Sequence, residues 1–149
     1  MANIDDDMKT KFANDKHRFV ANVVYTGNWI KNQFSEFIKP FGVSPQQFNI
    51  LRILRGANQW VSMNDIKNRM VEKSPNTTRL CDKLLEKKLI ERRRDKRDRR
   101  LVFLRISKPG LQLLKEIDEH DDGSHMSFFD NISDEEAKIV SQVLDKLRA

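Results

Sequence analysis

Apolar residues recur at three, four and seven along most of this chain, and at two in one short part. Over residues 9–38, Phe12, Phe19, Val23, Ile30, Phe34 and Phe37 mark one helical face, and Pro40 and Gly42 end it. Val20, Val24, Tyr25 and Trp29 widen the apolar surface beyond one stripe. A helix with two apolar faces needs two partners: here the body of the domain and a second subunit.

"SPQQF" starts the next helix, with Ser44 as cap, Pro45 at the first position and Gln47 completing a capping box. Ile50, Leu51, Leu54 and Ala57 form its buried face. "VSMNDIKNRM" restarts with Ser62 as cap and runs to about Met70. "KSPNTTRLCDKLLEKK" follows, with Ser74 as cap and Pro75 at the first position. Its inner face is Thr77, Leu80, Cys81, Leu84 and Leu85; Asn76, Arg79, Lys83 and Glu86 face outward. Then the period shortens. "LIERR" (89–93) and "LVFLRI" (101–106) are rich in β-formers and bracket a polar run, which predicts a hairpin with residues 94–100 at its tip. Two more helices close the chain, capped by Ser107 and by Ser133 with Glu136. Their stripes are Leu111, Leu114 and Ile117, then Ala137, Val140, Leu144 and Leu147. Gly123 weakens helix between them.

Short helix, turn, second helix, basic hairpin is the order of a winged helix-turn-helix. The expected fold is mainly α with a small β-hairpin, one domain over residues 1–149. The winged helix-turn-helix lies at about residues 44–106, between terminal helices at about 9–39 and 107–148.

Charge sharpens this. The chain has 28 basic and 22 acidic residues, net +6. Residues 87–100 hold nine of the basic and three of the acidic ones, so the rest is neutral. A neutral protein with one concentrated basic segment aims it at a polyanion. In the predicted geometry the start of the second helix enters a major groove. That makes Ser74, Pro75, Asn76, Thr77, Thr78, Arg79 and Lys83 candidates for DNA contact, with Asn76 suited to an adenine edge and Arg79 to a guanine edge or a phosphate. The hairpin lays Arg94, Lys96, Arg97, Arg99 and Arg100 along the neighbouring minor groove. Asp95 and Asp98 are each expected to hold a neighbouring guanidinium in a fixed pose. Residues 116–137 carry nine acidic residues and no Lys or Arg, so they belong to a face turned away from DNA.

At these residues the chain resembles the MarR (multiple-antibiotic-resistance regulator) family. "DKRDRRLVFLRISKPG" looks like the family's wing, strand and following helix start, with Ile106 for leucine and Ser107 for threonine. "SPNTTRLCDKLLEKKLIERR" is similar to its recognition helix and exit, with Lys88 in place of the usual glycine. The resemblance implies that Asp98 and Arg100 brace each other and reach DNA. It implies a homodimer formed by the first and last helices, and repression relieved by a small phenolic ligand or by cysteine oxidation. Tyr25, Trp29 and Phe48 are candidates for lining a ligand pocket, although aromatics at helical spacing more often serve the core. Oxidation finds little support, because the first helix has no cysteine and Cys81 lies on a buried face.

Other classes fit less well. His17, His120 and His125 are scattered, and no metal site or cofactor motif is recognisable. No Ser-His-Asp, Cys-His, Walker or paired-carboxylate arrangement marks an enzyme. The absence of a long apolar run or signal core points to a cytoplasmic protein without a membrane segment. An RNA-binding winged helix is the main alternative, followed by one used for protein contact. The basic segment has no aromatic for base stacking before Phe103, which favours duplex DNA.

Overall fold

The computed structural model describes residues 3–70 and 75–149. The helices are α1 (Ile4–Met8), α2 (Asp15–Ile38), α3 (Pro45–Ala57), α4 (Met63–Arg69), α5 (Thr77–Glu86), α6 (Lys108–His120) and α7 (Asp134–Leu147). The strands are β1 (Val61–Ser62), β2 (Ile90–Arg94) and β3 (Val102–Ile106), in antiparallel order β1-β3-β2. Short 3₁₀ segments occupy Lys39–Phe41 and Ser124–Asn131. No helix among the described residues is long and apolar enough to cross a membrane.

The caps explain most of the boundaries. Ser44 and Gln47 make a reciprocal capping box on α3, and Ser133 and Glu136 make one on α7. The Ser62 and Ser107 hydroxyls each accept an amide three residues on, at 3.1 Å. Each satisfies an N–H that a helix start would otherwise leave unpaired. Gly42 and Gly123 take positive φ values of 75° and 78° where α2 and α6 give way to loops.

Two boundaries differ from expectation. The first long helix starts at Asp15, not at residue 9. The Asn14 side chain caps it by accepting the His17 amide at 3.0 Å, and Lys9, with φ 49°, ends the separate α1. Phe12 therefore lies outside the helix whose face it was expected to share. The second helix of the motif starts at Thr77, two residues after Pro75. Its first i→i+4 bond runs from the Leu80 amide to the Asn76 carbonyl at 2.9 Å, so Asn76 takes the cap position, without a side-chain capping bond. Ser74, the expected cap, lies outside the described residues.

The core sits between α3, α4, α5, the sheet and α6. Ile50, Leu51, Leu54, Ile66, Leu84, Leu104 and Leu114 have no exposed surface. Leu111, expected on the inner face of α6, points outward; Gly110, Leu114 and Ile117 make that face instead. Gly110 is needed for close approach. A Cβ there would fall on the Leu89 carbonyl and within 2.7 Å of Ile106 Cγ1. The terminal helices are less complete. Val24 is 59% exposed on α2, and Ile139, Val140, Val143 and Leu147 are exposed on α7.

Candidate nucleic-acid interface

α5 is oriented by its buried stripe. Thr77, Cys81 and Leu84 face the core, so Thr78, Arg79 and Lys83 face outward. Pro75 and Asn76, in the turn before the helix, are also exposed. Thr77 departs from the proposed contact set. It is only 1% exposed, and its hydroxyl donates to Met70 Sδ at 3.6 Å, so packing uses its side chain. Cys81 is fully buried. Burial, and then the neighbouring Asp82 charge, push its thiol up to about 11. A protonated, enclosed thiol is a poor nucleophile.

The exit from α5 turns through Lys88, which stands where the resembled pattern has glycine. Lys88 adopts φ 61°, the left-handed conformation for which glycine is the default residue. The chain then runs into β2, which pairs with β3 from Ile90↔Ile106 to Arg94↔Val102. Beyond the ladder, the Asp95 amide donates to the Leu101 carbonyl and the Leu101 amide to the Asp98 carbonyl, both at 3.0 Å.

Within this tip the two carboxylates do different work. Asp98 holds Arg100 as expected: Arg100 Nε donates to Oδ1 at 3.1 Å and a terminal nitrogen donates to Oδ2 at 3.3 Å. The Arg100 amide also donates to Oδ1, at 3.0 Å. The guanidinium contact first, and this amide second, hold the Asp98 carboxyl below its ordinary 3.8. Asp95 holds no guanidinium. Its Oδ1 accepts the Arg97 amide at 2.7 Å and the Asp98 amide at 3.3 Å. At the first turn position the exposed amides two and three residues on are nearer than any flexible arginine head, so an Asx-type turn forms.

The basic residues also divide. Arg92 faces Asp82 at 3.6 Å. The Arg93 guanidinium lies over the Trp60 ring, 4.8 Å from its centroid. Arg94 donates to the Arg99 carbonyl at 3.1 Å. Among the described residues, no internal hydrogen bond or ion pair engages the side chains of Lys96, Arg97, Arg99, Arg79 or Lys83. These side chains are the ones available to an external anion.

Recognition helix and wing meet in one cleft, lined by Ser62, Asn64, Lys67, Thr78 and Arg100 among others. Asn64 and Lys67 were not singled out in the sequence. The Ser62 cap was the available signal, since it places both on the first turns of α4. The three pocket candidates sit in different surroundings. Tyr25 lines an open apolar groove on α2 with Val20 and Val24. Trp29 packs edge-on against Phe128, with centroids 5.1 Å apart. Phe48 is buried against Phe34 at 5.4 Å.

Fold and surface together define a winged helix-turn-helix protein with a basic wing. Residues 41–101 match the MarR family pattern. An HTH-type transcriptional regulator of Bacillus subtilis (strain 168), YsmB, is 26% identical over 119 residues, covering 80% of this chain and 81% of that one. The B. subtilis HTH-type transcriptional regulator MhqR is 25% identical over 118 residues, covering 79% and 81%. Among solved structures, a mutant MarR from E. coli complexed with operator DNA superimposes with a TM-score of 0.77 at 17% identity, covering 93% of this chain and 99% of that one. The organohalide-sensing regulator RdhR in its 2,4-dichlorophenol-bound form gives 0.78 at 18%, covering 95% and 83%.

Proposed function

We infer that this protein is a DNA-binding transcriptional regulator that acts as a homodimer on a palindromic operator. One observation carries the reading: Thr78 of the recognition helix and Arg100 of the wing line a single cleft, so both proposed readers address one duplex. Arg79 and Lys83 stand outward on the same helix as Thr78. Lys96, Arg97 and Arg99 extend the charge along the hairpin and supply the salt-dependent part of binding. Asn76 and Arg79 supply base discrimination, and Pro75 and Thr78 flank them. Asp98 acts through Arg100 by fixing its pose.

The dimer reading rests on the exposed apolar residues of α2 and α7, too many to be isolated surface hydrophobics. Repression is the mode that fits a dimer covering its operator. Relief by a small aromatic ligand is supported by the groove beside Tyr25 and by the dichlorophenol-bound relative. Cytoplasmic residence and the lack of an enzymatic role follow from the same reading.

The test is to sequence the genomic fragments that the purified protein retains. The expected product is an inverted repeat with half-site centres about one helical turn apart, ~10 bp. Preferential retention of RNA, or no enrichment of any DNA, would overturn the reading in favour of RNA or protein contact.

A further inference from the structure

β1 has only two residues, and it contacts the hairpin through Val61↔Leu104 and Ser62↔Phe103. Beyond that point the wing is a two-stranded ribbon. Such a ribbon is marginal alone, yet a groove reader needs its basic tip at a fixed angle to the recognition helix.

The outward face of the sheet carries the missing brace. Trp60 directly precedes β1, on the connection from α3. The Arg93 guanidinium of β2 lies over its ring at 4.8 Å, and the Arg105 guanidinium of β3 lies over it at 4.6 Å. Arg93 also lies over Phe103, its cross-strand partner, at 5.6 Å. Arg105 Nε donates to Oε2 of its own cross-strand partner Glu91 at 2.6 Å. One indole on the body of the domain thus gathers both strands of the hairpin. The charge is placed where it is most useful to such a contact, over the negative face of the ring.

We propose that Trp60 is the positioning residue of the wing: through Arg93 and Arg105 it sets the attitude of the β2–β3 hairpin relative to α5. Two consequences separate this from simple packing. Arg93, though inside the most basic run of the chain, is an internal ligand of the indole and not a phosphate contact. The effects of Trp60 and Arg93 on nucleic-acid binding are therefore one effect. The proposal rests on the DNA-binding reading only for its second consequence.

The test has one arm without DNA and one with it. In the first, hydrogen exchange compares the wild type with Trp60→Ala and Trp60→Phe. Trp60→Ala speeds exchange at the amides of β2, β3 and the tip while the α5 amides keep their protection, and Trp60→Phe restores most of the difference. Unchanged hairpin exchange in Trp60→Ala overturns the proposal. Uniformly faster exchange throughout the chain also overturns it, because that is the signature of a core filler. In the second arm, a labelled random-sequence duplex is titrated at several salt concentrations with Trp60→Ala, Arg93→Gln and the double variant. Each single variant weakens binding about fivefold, the scale of one or two exposed cation–π contacts. The double variant is no worse than either single one. The salt slope stays at the wild-type value in all three. A slope lower by about one unit in Arg93→Gln, or additive losses in the double variant, makes Arg93 a phosphate contact and overturns the coupling. Failure of the wild type to bind any duplex refutes the functional reading instead, and the exchange arm still decides the brace.

Discussion

In α3, α4 and α5 the apolar positions are sealed: Ile50, Leu51, Leu54, Ile66 and Leu84 have no exposed surface. In α7 the stripe stands open, with Ile139, Val140 and Leu147 each more than half exposed. The same amphipathic spacing has two outcomes. The winged-helix body is a closed unit that pays its folding entropy from its own core. On the proposed dimer reading, the terminal helices are half of an interface. Amphipathic pattern alone therefore says that a face will be covered; only burial says whether the chain covers it by itself.

The strongest way to break that contrast is in the closed half. Leu84→Ala removes a fully buried side chain from α5 and is expected to cost about 2–5 kcal/mol. Chemical denaturation measures it, and a loss below about 1 kcal/mol means that the core is not closed there. Gly110→Ala tests the seam between α6 and the start of β2. The added methyl meets the Leu89 backbone and Ile106, so a loss of about 1–3 kcal/mol is expected, as in other overpacked sites.

Val24→Asp addresses the open half. Val24 is 59% exposed, so unfolding should change little. In a paired subunit the charge weakens association by roughly tenfold or more. Sedimentation across a concentration series checks this; an unchanged profile removes α2 from the interface. The smallest effect is expected at the wing. Asp98→Ala removes a negative charge yet should weaken duplex binding a few-fold, because Arg100 loses its brace. Simple charge counting predicts tighter binding, so titration decides by sign. The pH dependence follows from the same pair. The folded-state carboxyl of Asp98 is lowered below 3.8. Its contribution is thus complete above the ordinary carboxylate range and is lost only as pH falls through the lowered value. Hairpin protection factors, corrected for the intrinsic pH dependence of amide exchange and followed from neutral to acid pH, should stay flat until the ordinary carboxylate range is passed.

How much of this was legible depended on the kind of signal. Ser44, Ser62, Ser107 and Ser133 marked helix starts correctly, because a cap is a local bond between neighbours in the chain. Asn14 carried the same signal, but Phe12 and Phe19 stand seven apart and hid the break. β1 was missed because two residues have no period to detect. The Asp98–Arg100 pair was readable from spacing and resemblance. The role of Asp95 was not, since an acidic residue between arginines can hold a side chain or a backbone turn, and only tip geometry chooses. Trp60 was invisible for a different reason: its partners lie more than thirty residues away, and only strand register brings Arg93 and Arg105 to one ring.

The seam at Gly110 has a mechanical meaning. The Ser107 amide donates to the Leu89 carbonyl at 3.1 Å, and the Ser107 hydroxyl donates to the Lys88 carbonyl at 2.7 Å. No room for a methyl remains beside them. This is a weld and not a hinge, so the end of the recognition helix and the start of α6 travel as one rigid lever. In a dimer, any change in how the terminal helices cross reaches the two recognition helices as a change in their separation. On the proposed dimeric DNA-binding reading, this joint resists bending, and a small rotation far from the DNA becomes a mismatch with the pitch of the duplex.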